Sequence, residues 1–329
     1  MRILIVHNQV IPVKTYGGTE RVIWCLGKEL VALGHEVVYL VKHGSSCDFA
    51  PVLFIDNQKD IWKQIPKNID VVHFQEEPLE NKETTIPYVV TIHGNRNDAT
   101  PFDKNAIFVS KNHASRYQSE SYVHNGLDWN DYSKPTFSKK DYFHFLGDAA
   151  WRIKNVKGAI KTVTSTKKER IKILGGKRLN INMGFRFTTS TRSSFCGMVG
   201  GEEKNSFLNF SKGLIFPVLW HEPFGLAIIE SLYFGCPVFG TPYGSLPEII
   251  TKEVGFLSKK RKELTSAIEN VDLFSSKRCH EYAVEIFNSK KMAISYLEKY
   301  KKVFLGETLN TNCPKIKEIQ TQKFLDWEK

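Results

Sequence analysis

Short, almost wholly apolar runs alternate along this chain with segments whose apolar residues recur at helical spacing. That alternation constrains the fold more than any other feature. The run Arg2-Ile-Leu-Ile-Val-His7 is nearly continuous in apolar residues, as a parallel strand buried on both faces is. A helix is expected from Thr19 to Leu33, with Val22, Ile23, Leu26, Leu30 and Leu33 on one face and Gly34 as its stop. A second strand, 35–41, follows. Further strand signals cover 52–55, 71–74, 88–92, 106–109 and 121–123, then 142–146, 170–174, 194–199, 214–219, 238–239 and 254–257. Helical segments are expected at 156–163, 202–210, 224–234 and 247–250, with others beginning at Arg261, Ser275 and Ser289. Such alternation predicts an α/β chain of parallel sheets flanked by helices, with ligands at the carboxyl ends of the strands.

A length of 329 residues accommodates two domains of about 150 each. The polar stretch 129–142 is the natural boundary. It gives a first domain at 1–135, a second at 136–305 and a weakly patterned tail at 306–329. Hydrophobic content of 41% supports two real cores. Met1-Arg2 leads straight into the first strand without a cleavage site, and no run reaches the length of a membrane span, so a cytoplasmic protein is expected. Cys25, Cys47, Cys196, Cys236, Cys279 and Cys313 are scattered, with no Cys-x-x-Cys and no zinc spacing, and read as reduced thiols. The net charge of +11 fits solubility and an anionic ligand. It is compatible with peripheral contact at the inner face of an anionic membrane but does not establish it. No nucleic-acid-binding module is present. Gly-x-Gly-x-x-Gly is absent after the first strand, and Gly175-Gly176-Lys177 lacks P-loop spacing, so neither NAD nor ATP binding is indicated.

The most informative stretch is Trp220 to Glu248. An apolar strand feeds a polar loop, Trp220-His221-Glu222-Pro223. Pro223 suits the first turn of a helix, which is expected to run from Phe224 to Phe234 and to stop at Gly235 and Pro237. Glu222 sits in the turn. Glu230 lies eight residues on, close to two turns and on a similar side. The free amides of a helix start attract phosphate or an oxygen-rich ligand. Two carboxylates beside such an end can accept hydrogen bonds from sugar hydroxyls, which suggests a nucleotide-sugar site.

Glu222-x7-Glu230, with Phe224-Gly225-Leu226 inside it and Gly-x-Pro-Val then Gly-Thr-Pro-x-Gly-x-x-Pro-Glu after it, resembles the donor-site signature of the family-4 retaining glycosyltransferases. Glu-x7-Glu alone is weak, whereas the whole run to Glu248 is specific. The resemblance implies the GT-B architecture of two facing Rossmann-like domains, acceptor on the first and donor on the second, with a terminal helix or tail that can return to the first. It implies that Glu230 holds the ribose hydroxyls, that Glu222 contacts the transferred sugar, and that amides at Phe224, Gly225 and Leu226 help hold sugar or phosphate.

In the first half, Gly17-Gly18, with Glu20 close by, matches a family glycine pair near the donor phosphates and the acceptor. His93-Gly94, at the end of the expected strand 88–92, matches a family histidine beside the reacting sugar. There it would hydrogen-bond a hydroxyl rather than act as a general base. His124-Asn-Gly-Leu-Asp128 resembles a Pro-Asn-Gly-Val-Asp segment that closes the first domain and implies no catalytic contact.

In the second half, the family places an Arg directly after a strand-end Gly and a Lys-Gly pair five to six residues on. Here Asp148 follows Gly147, while Arg152 and Lys157-Gly158 keep the Arg-x4-Lys-Gly spacing. Arg152 and Lys157 are the expected diphosphate ligands, with Lys154 as the fallback. Arg offers two parallel donors to an oxyanion and Lys a point charge.

The function so implied is metal-independent transfer of a hexose-type sugar, with retention, from a nucleotide-diphospho-sugar to a saccharide or lipid-linked acceptor in cell-envelope glycan synthesis. The family favours UDP, then GDP. The nucleotide-sugar is a co-substrate, and no cofactor or metal is expected. In the family the departing phosphate is thought to help deprotonate the acceptor, so no dedicated carboxylate base is expected. Glu222, His93, Arg152 and Lys157 form the expected catalytic set. The alternatives are a nucleotide-sugar epimerase of the same fold and a non-catalytic nucleotide- or carbohydrate-binding subunit.

Overall fold

A computed structural model describes residues 1–13, 17–78, 85–137, 141–181 and 183–328. In chain order the elements are β1 (Arg2–His7), α1 (Gly18–Ala32), β2 (Glu36–Val41), β3 (Val52–Phe54), β4 (Val71–Phe74), β5 (Tyr88–Ile92), β6 (Ala106–Phe108) and α2 (Lys111–Arg116). They continue with β7 (Tyr142–Leu146), α3 (Val156–Thr164), β8 (Ile171–Leu174), β9 (Leu179–Asn180), β10 (Arg186–Phe187), β11 (Ser193–Phe195), α4 (Gly201–Asn209) and β12 (Ser211–Phe216). The last are α5 (Leu226–Tyr233), β13 (Val238–Gly240), α6 (Leu246–Ile249), β14 (Gly255–Leu257), α7 (Arg261–Glu269), α8 (Ser276–Ile286) and α9 (Ser289–Phe304).

The chain forms two compact units. One comprises residues 1–13, 17–128 and 287–320, and the other comprises 129–286 and the end of the chain from 321. Each is built on a six-stranded sheet, ordered β3-β2-β1-β4-β5-β6 in the first and β11-β8-β7-β12-β13-β14 in the second. All strand pairs in both sheets are parallel. Both orders run outward from a central first strand and switch direction beside it, the doubly wound Rossmann arrangement. The apolar runs occupy the centre as burial on both faces requires: Ile3, Leu4 and Ile5 are wholly buried in the first unit, as are Phe143, Phe145, Ile215 and Phe239 in the second.

The expected strand at 121–123 is a single bridge, Phe108 to Tyr122, at the sheet edge: the Phe108 amide donates to the Ser121 carbonyl and the Val123 amide donates back to Phe108. The span expected for the second domain, 136–305, differs from the observed grouping. The second unit begins at Trp129, and α9 packs on the first sheet. Its Tyr300 hydroxyl hydrogen-bonds His73 Nδ1 at 2.7 Å, and its Tyr296 hydroxyl hydrogen-bonds Thr91 Oγ1 at 3.0 Å. His73 Nε2 closes the network on Thr91 at 2.7 Å. Satisfying these buried polar groups ties α9 to β4 and β5. The tail divides. The Phe102 amide donates to the Pro314 carbonyl and Ile316 joins the first core, whereas the Leu325 amide donates to Leu219 in the second unit.

The segment 124–128 is part of the first unit's closure. The Leu127 amide donates to the Phe287 carbonyl, the Ser289 amide donates back to Leu127, and Asp128 pairs with Lys28 at 2.7 Å.

Candidate functional site

In the second unit, β12 delivers the chain into the loop 217–225, which adjacent segments hold at several residues. The Leu219 amide donates to Ile153, Thr241 Oγ1 donates to the Val218 carbonyl, and the Ser245 amide and hydroxyl donate to the carbonyls of Glu222 and Phe224. Gly244, at φ +62°, passes so close that a Cβ there would lie 2.3 Å from the Glu222 nitrogen and oxygen. The helix begins at Leu226, later than expected. Gly225 takes the left-handed conformation (φ 88°) as its N-cap, so Pro223 belongs to the stapled loop and not to the first helical turn.

The two glutamates are buried, Glu222 at 7% and Glu230 at 2% exposure, and each has a lysine from a different element. Glu222 Oε2 accepts from Lys154 Nζ at 2.6 Å and from Trp220 Nε1 at 2.9 Å. The same ammonium lies 5.0 Å from the Trp220 ring centre and 5.2 Å from that of Phe216. Glu230, in the second turn of α5, accepts from Lys204 of α4 and from the Tyr132 hydroxyl at 2.8 Å. A buried carboxylate needs such partners to stay ionised. Lys204 and Tyr132 were not legible in the sequence. Lys204 falls within a helix whose acidic neighbours, Glu202 and Glu203, suggest only a solvated face, and Tyr132 lies in the polar stretch that reads as a boundary.

The cations of the 148–158 segment divide. A 3-10 turn, Arg152–Lys154, follows β7. Asp148 accounts for the break in the expected pattern: its Oδ1 accepts from the Ala150 amide at 2.8 Å, so it shapes the turn. Asn155 caps α3 through the Gly158 amide at 3.0 Å and donates to the Pro217 carbonyl at 2.9 Å, anchoring turn to loop. Lys154, the fallback residue, is the one that reaches Glu222. Arg152 and Lys157 instead line a cavity of about 320 Å³ with Asn155, Leu219, Phe324 and Arg186. The Arg152 guanidinium stands 5.1 Å from the Phe324 ring centre. Arg186 is the unanticipated member. It is 5% exposed, and its Nη atoms donate to Thr188 Oγ1 and the Lys177 carbonyl. Its Nε has no acceptor among the described residues, and burial lowers its pKa. Three cationic side chains and no carboxylate line this cavity, which suits an anion.

In the first unit, Gly17 and Gly18 open α1, while Thr15 and Tyr16 lie outside the described residues. Gly17 permits a close approach, since a Cβ there would meet the Glu20 carboxylate at 2.7 Å and Val13 at 2.9 Å. Glu20 lies 3.8 Å from His7 Nε2, and that histidine holds the carboxyl below its usual range. His93 follows β5 and hydrogen-bonds Gln75 at 2.9 Å. Burial, with the neighbouring His7, pushes its pKa down to about 3, so the ring is neutral and able to donate or accept. His7 and Gln75 were missed, although both stand at the carboxyl end of a parallel strand, the position that flagged His93.

Among the described residues, no group of three or more His, Cys, Asp and Glu is placed to hold a metal ion, and no helix is long and apolar enough to cross a membrane.

Residues 130–286 match the family described as glycosyl transferases group 1. Over 114 residues the chain is 27% identical to an uncharacterized 41.2 kDa protein in the cps region of Klebsiella pneumoniae. That match spans 32% of each chain, about a third of the curated relative's length. The solved structure of AviGT4, a glycosyltransferase involved in avilamycin A biosynthesis, superposes with a TM-score of 0.72 at 18% identity, covering 93% of this chain and 99% of that one. A glycosyltransferase from Rickettsia africae ESF-5 gives 0.68 at 16% identity over 92% and 98%. Anabaena Alr3699/HepE in complex with UDP and glucose gives 0.63 at 14% identity over 92% and 99%. At these identities the likeness shows the fold: two Rossmann-like α/β units of the GT-B type.

Proposed function

We propose that this protein is a retaining glycosyltransferase that takes a hexose-type sugar from a nucleotide-diphospho-sugar and gives it to a saccharide or lipid-linked acceptor. The observation that carries the proposal is the Lys154–Glu222 pair, fixed in a stapled loop just before α5, within the segment that matches glycosyl transferases group 1. In this account Glu222 meets the transferred sugar and Glu230, held by Lys204 and Tyr132, meets the ribose. Arg152 and Lys157, with Arg186, supply positive charge to the diphosphate. Preorganised cations of this kind stabilise a leaving group as its charge develops, without reorganising at the moment of reaction. The Leu226 and Ala227 amides at the start of α5 add donors, while the Ile228 amide is taken by the Gly225 carbonyl. His93 is neutral, which suits a hydrogen bond to a sugar hydroxyl. Charge neutralisation by these side chains is the reason we propose metal-independent transfer. UDP is the favoured nucleotide, supported by the UDP and UDP-glucose complexes of the similarly folded Anabaena protein, and GDP is next. Envelope glycan synthesis is supported by the partial relative in a cps region.

A panel of UDP, GDP, ADP and CDP tests the donor side by thermal shift. A ligand that binds only the native state at 100 times its Kd adds about 2.7 kcal/mol of stability. One nucleoside diphosphate should raise the melting temperature well above the others. No shift with any of them contradicts a nucleotide-sugar donor, and a shift without turnover on any acceptor favours a binding subunit.

A further inference from the structure

The segment from Phe324 to Glu328 forms a strap on the second unit. The Leu325 amide donates to the Leu219 carbonyl at 2.9 Å, and the Asp326 carbonyl accepts from the Tyr243 hydroxyl at 2.8 Å. Trp327 packs against the second core. Glu328 makes a parallel bridge to Lys260: its amide donates to the Lys259 carbonyl and its carbonyl accepts from the Arg261 amide, both at 2.9 Å. Four successive residues are thus fixed. Two of their partners brace the site, since Leu219 lies in the loop 217–225 and Tyr243 directly precedes Gly244. The residue these anchors deliver is Phe324, whose ring lines the cation-bearing cavity. Phe324 lies outside the matched segment 130–286, so the family match assigns it no role.

The cations around that cavity are held unequally. Arg186 is fixed by hydrogen bonds to Thr188 Oγ1 and the Lys177 carbonyl, and Lys154 is fixed by Glu222. Arg152 is exposed, and among the described residues no acceptor takes its guanidinium. What flanks it is the Phe324 ring, 5.1 Å away. Its stem passes the β9–β10 hairpin, where a Cβ on Gly184 would lie 3.3 Å from Arg152 Cδ. An aromatic ring attracts a guanidinium through its negative face and leaves the N–H groups unspent. Binding an oxyanion through two parallel donors requires that the guanidinium plane be set. An arginine ordered beforehand loses less freedom when the ligand arrives.

We propose that Phe324 is a positioning residue: the strap 324–328 sets the Arg152 guanidinium so that its N–H groups meet the diphosphate of the donor. The proposal rests on the assignment of this cavity to a nucleotide diphosphate, and it adds a residue that the assignment does not include.

The test is calorimetric titration of the full chain with UDP and with GDP. Phe324→Ala and Phe324→Leu should weaken binding of the nucleotide that wild type takes up by roughly three- to fivefold, the scale of one exposed contact between an arginine and a ring. Leucine keeps an apolar side chain without an aromatic face, so its loss reports the ring rather than the packing of the strap. Phe324→Tyr keeps the face and should bind within about twofold of wild type. In an Arg152→Met background Phe324→Ala should have no further effect, because a residue that acts through another then has nothing to act on. Wild-type affinity in Phe324→Leu overturns the proposal. So does tighter binding by Phe324→Ala, which would make the ring an obstruction. An undiminished Phe324→Ala effect without Arg152 overturns it too, since the ring would then touch the ligand itself. If neither nucleotide binds wild type, the donor assignment falls and the proposal with it, whereas wild-type binding that the variants leave unaltered removes the positioning role alone.

Discussion

Acidification should weaken the first unit, whose neutral histidines include two, His73 and His113, that are almost wholly buried. His73 is wholly buried between β5 and α9, hydrogen-bonded to Tyr300 and Thr91. His113 is 1% exposed and packs edge-on against Phe108 and Tyr117. Burial pushes both rings down to about 3, from an ordinary 6.5. A folded-state value below the unfolded one means that the unfolded chain binds more protons between the two. The stabilisation is therefore complete above about pH 6.5 and is lost as pH falls toward 3. From about pH 7 to pH 5 each ring should cost roughly 2 kcal/mol, so the pair costs roughly 4. For a unit of this size that corresponds to a melting temperature lower by roughly 10 °C. Calorimetry at constant ionic strength measures it, and His73→Gln isolates it. The variant is less stable throughout, but its loss between the two pH values should be smaller by roughly 2 kcal/mol, since one titrating ring is gone. Identical pH dependence in wild type and variant refutes the claim that His73 is held neutral by burial.

Lys204→Met leaves the Glu230 carboxylate buried without its lysine and should cost about 3–5 kcal/mol by denaturant titration. The double variant Lys204→Met/Glu230→Gln should recover part of that loss, and a purely additive pair contradicts the coupling. Gly244→Ala puts a Cβ against the Glu222 backbone at φ +62°, so it should destabilise the second unit by more than about 1 kcal/mol and weaken nucleotide binding, read by melting curves with and without ligand.

The strand runs were legible because a parallel strand buried on both faces has to be continuously apolar, as Ile3-Leu4-Ile5 and Leu214-Ile215-Phe216 are. Where that pressure lapses, the sequence misleads. At 121–123 a single bridge hangs from the sheet edge, and at 179–187, where no element is expected, a short hairpin forms. The reach of α9 was implied only by the resemblance, which allows a terminal helix or tail to return to the first domain, and not by spacing within the chain. Its assignment to the first unit depends on Tyr296 and Tyr300 finding His73 and Thr91, partners some two hundred residues away. Glu222 and Glu230 stood out through their motif, but their lysines did not. Arg152 and Lys157 were chosen for the spacing of a diphosphate site, and they share a cavity, while Lys154 completes the ion pair. Local spacing cannot reveal which of three neighbouring cations a 3-10 turn will aim at a loop sixty-odd residues on.

The most direct test of the proposed chemistry is release of nucleoside diphosphate from a nucleotide-sugar, with saccharide and lipid-linked acceptors supplied, by wild-type protein, Glu222→Gln and Lys154→Met. Both variants should retain nucleotide-induced thermal stabilisation through Glu230, Arg152 and Lys157. Each should lose about 100-fold or more in turnover, the scale on which removing one preorganised electrostatic group acts. Turnover within about twofold of wild type in Glu222→Gln would contradict the assignment of the Lys154–Glu222 pair to the reacting sugar.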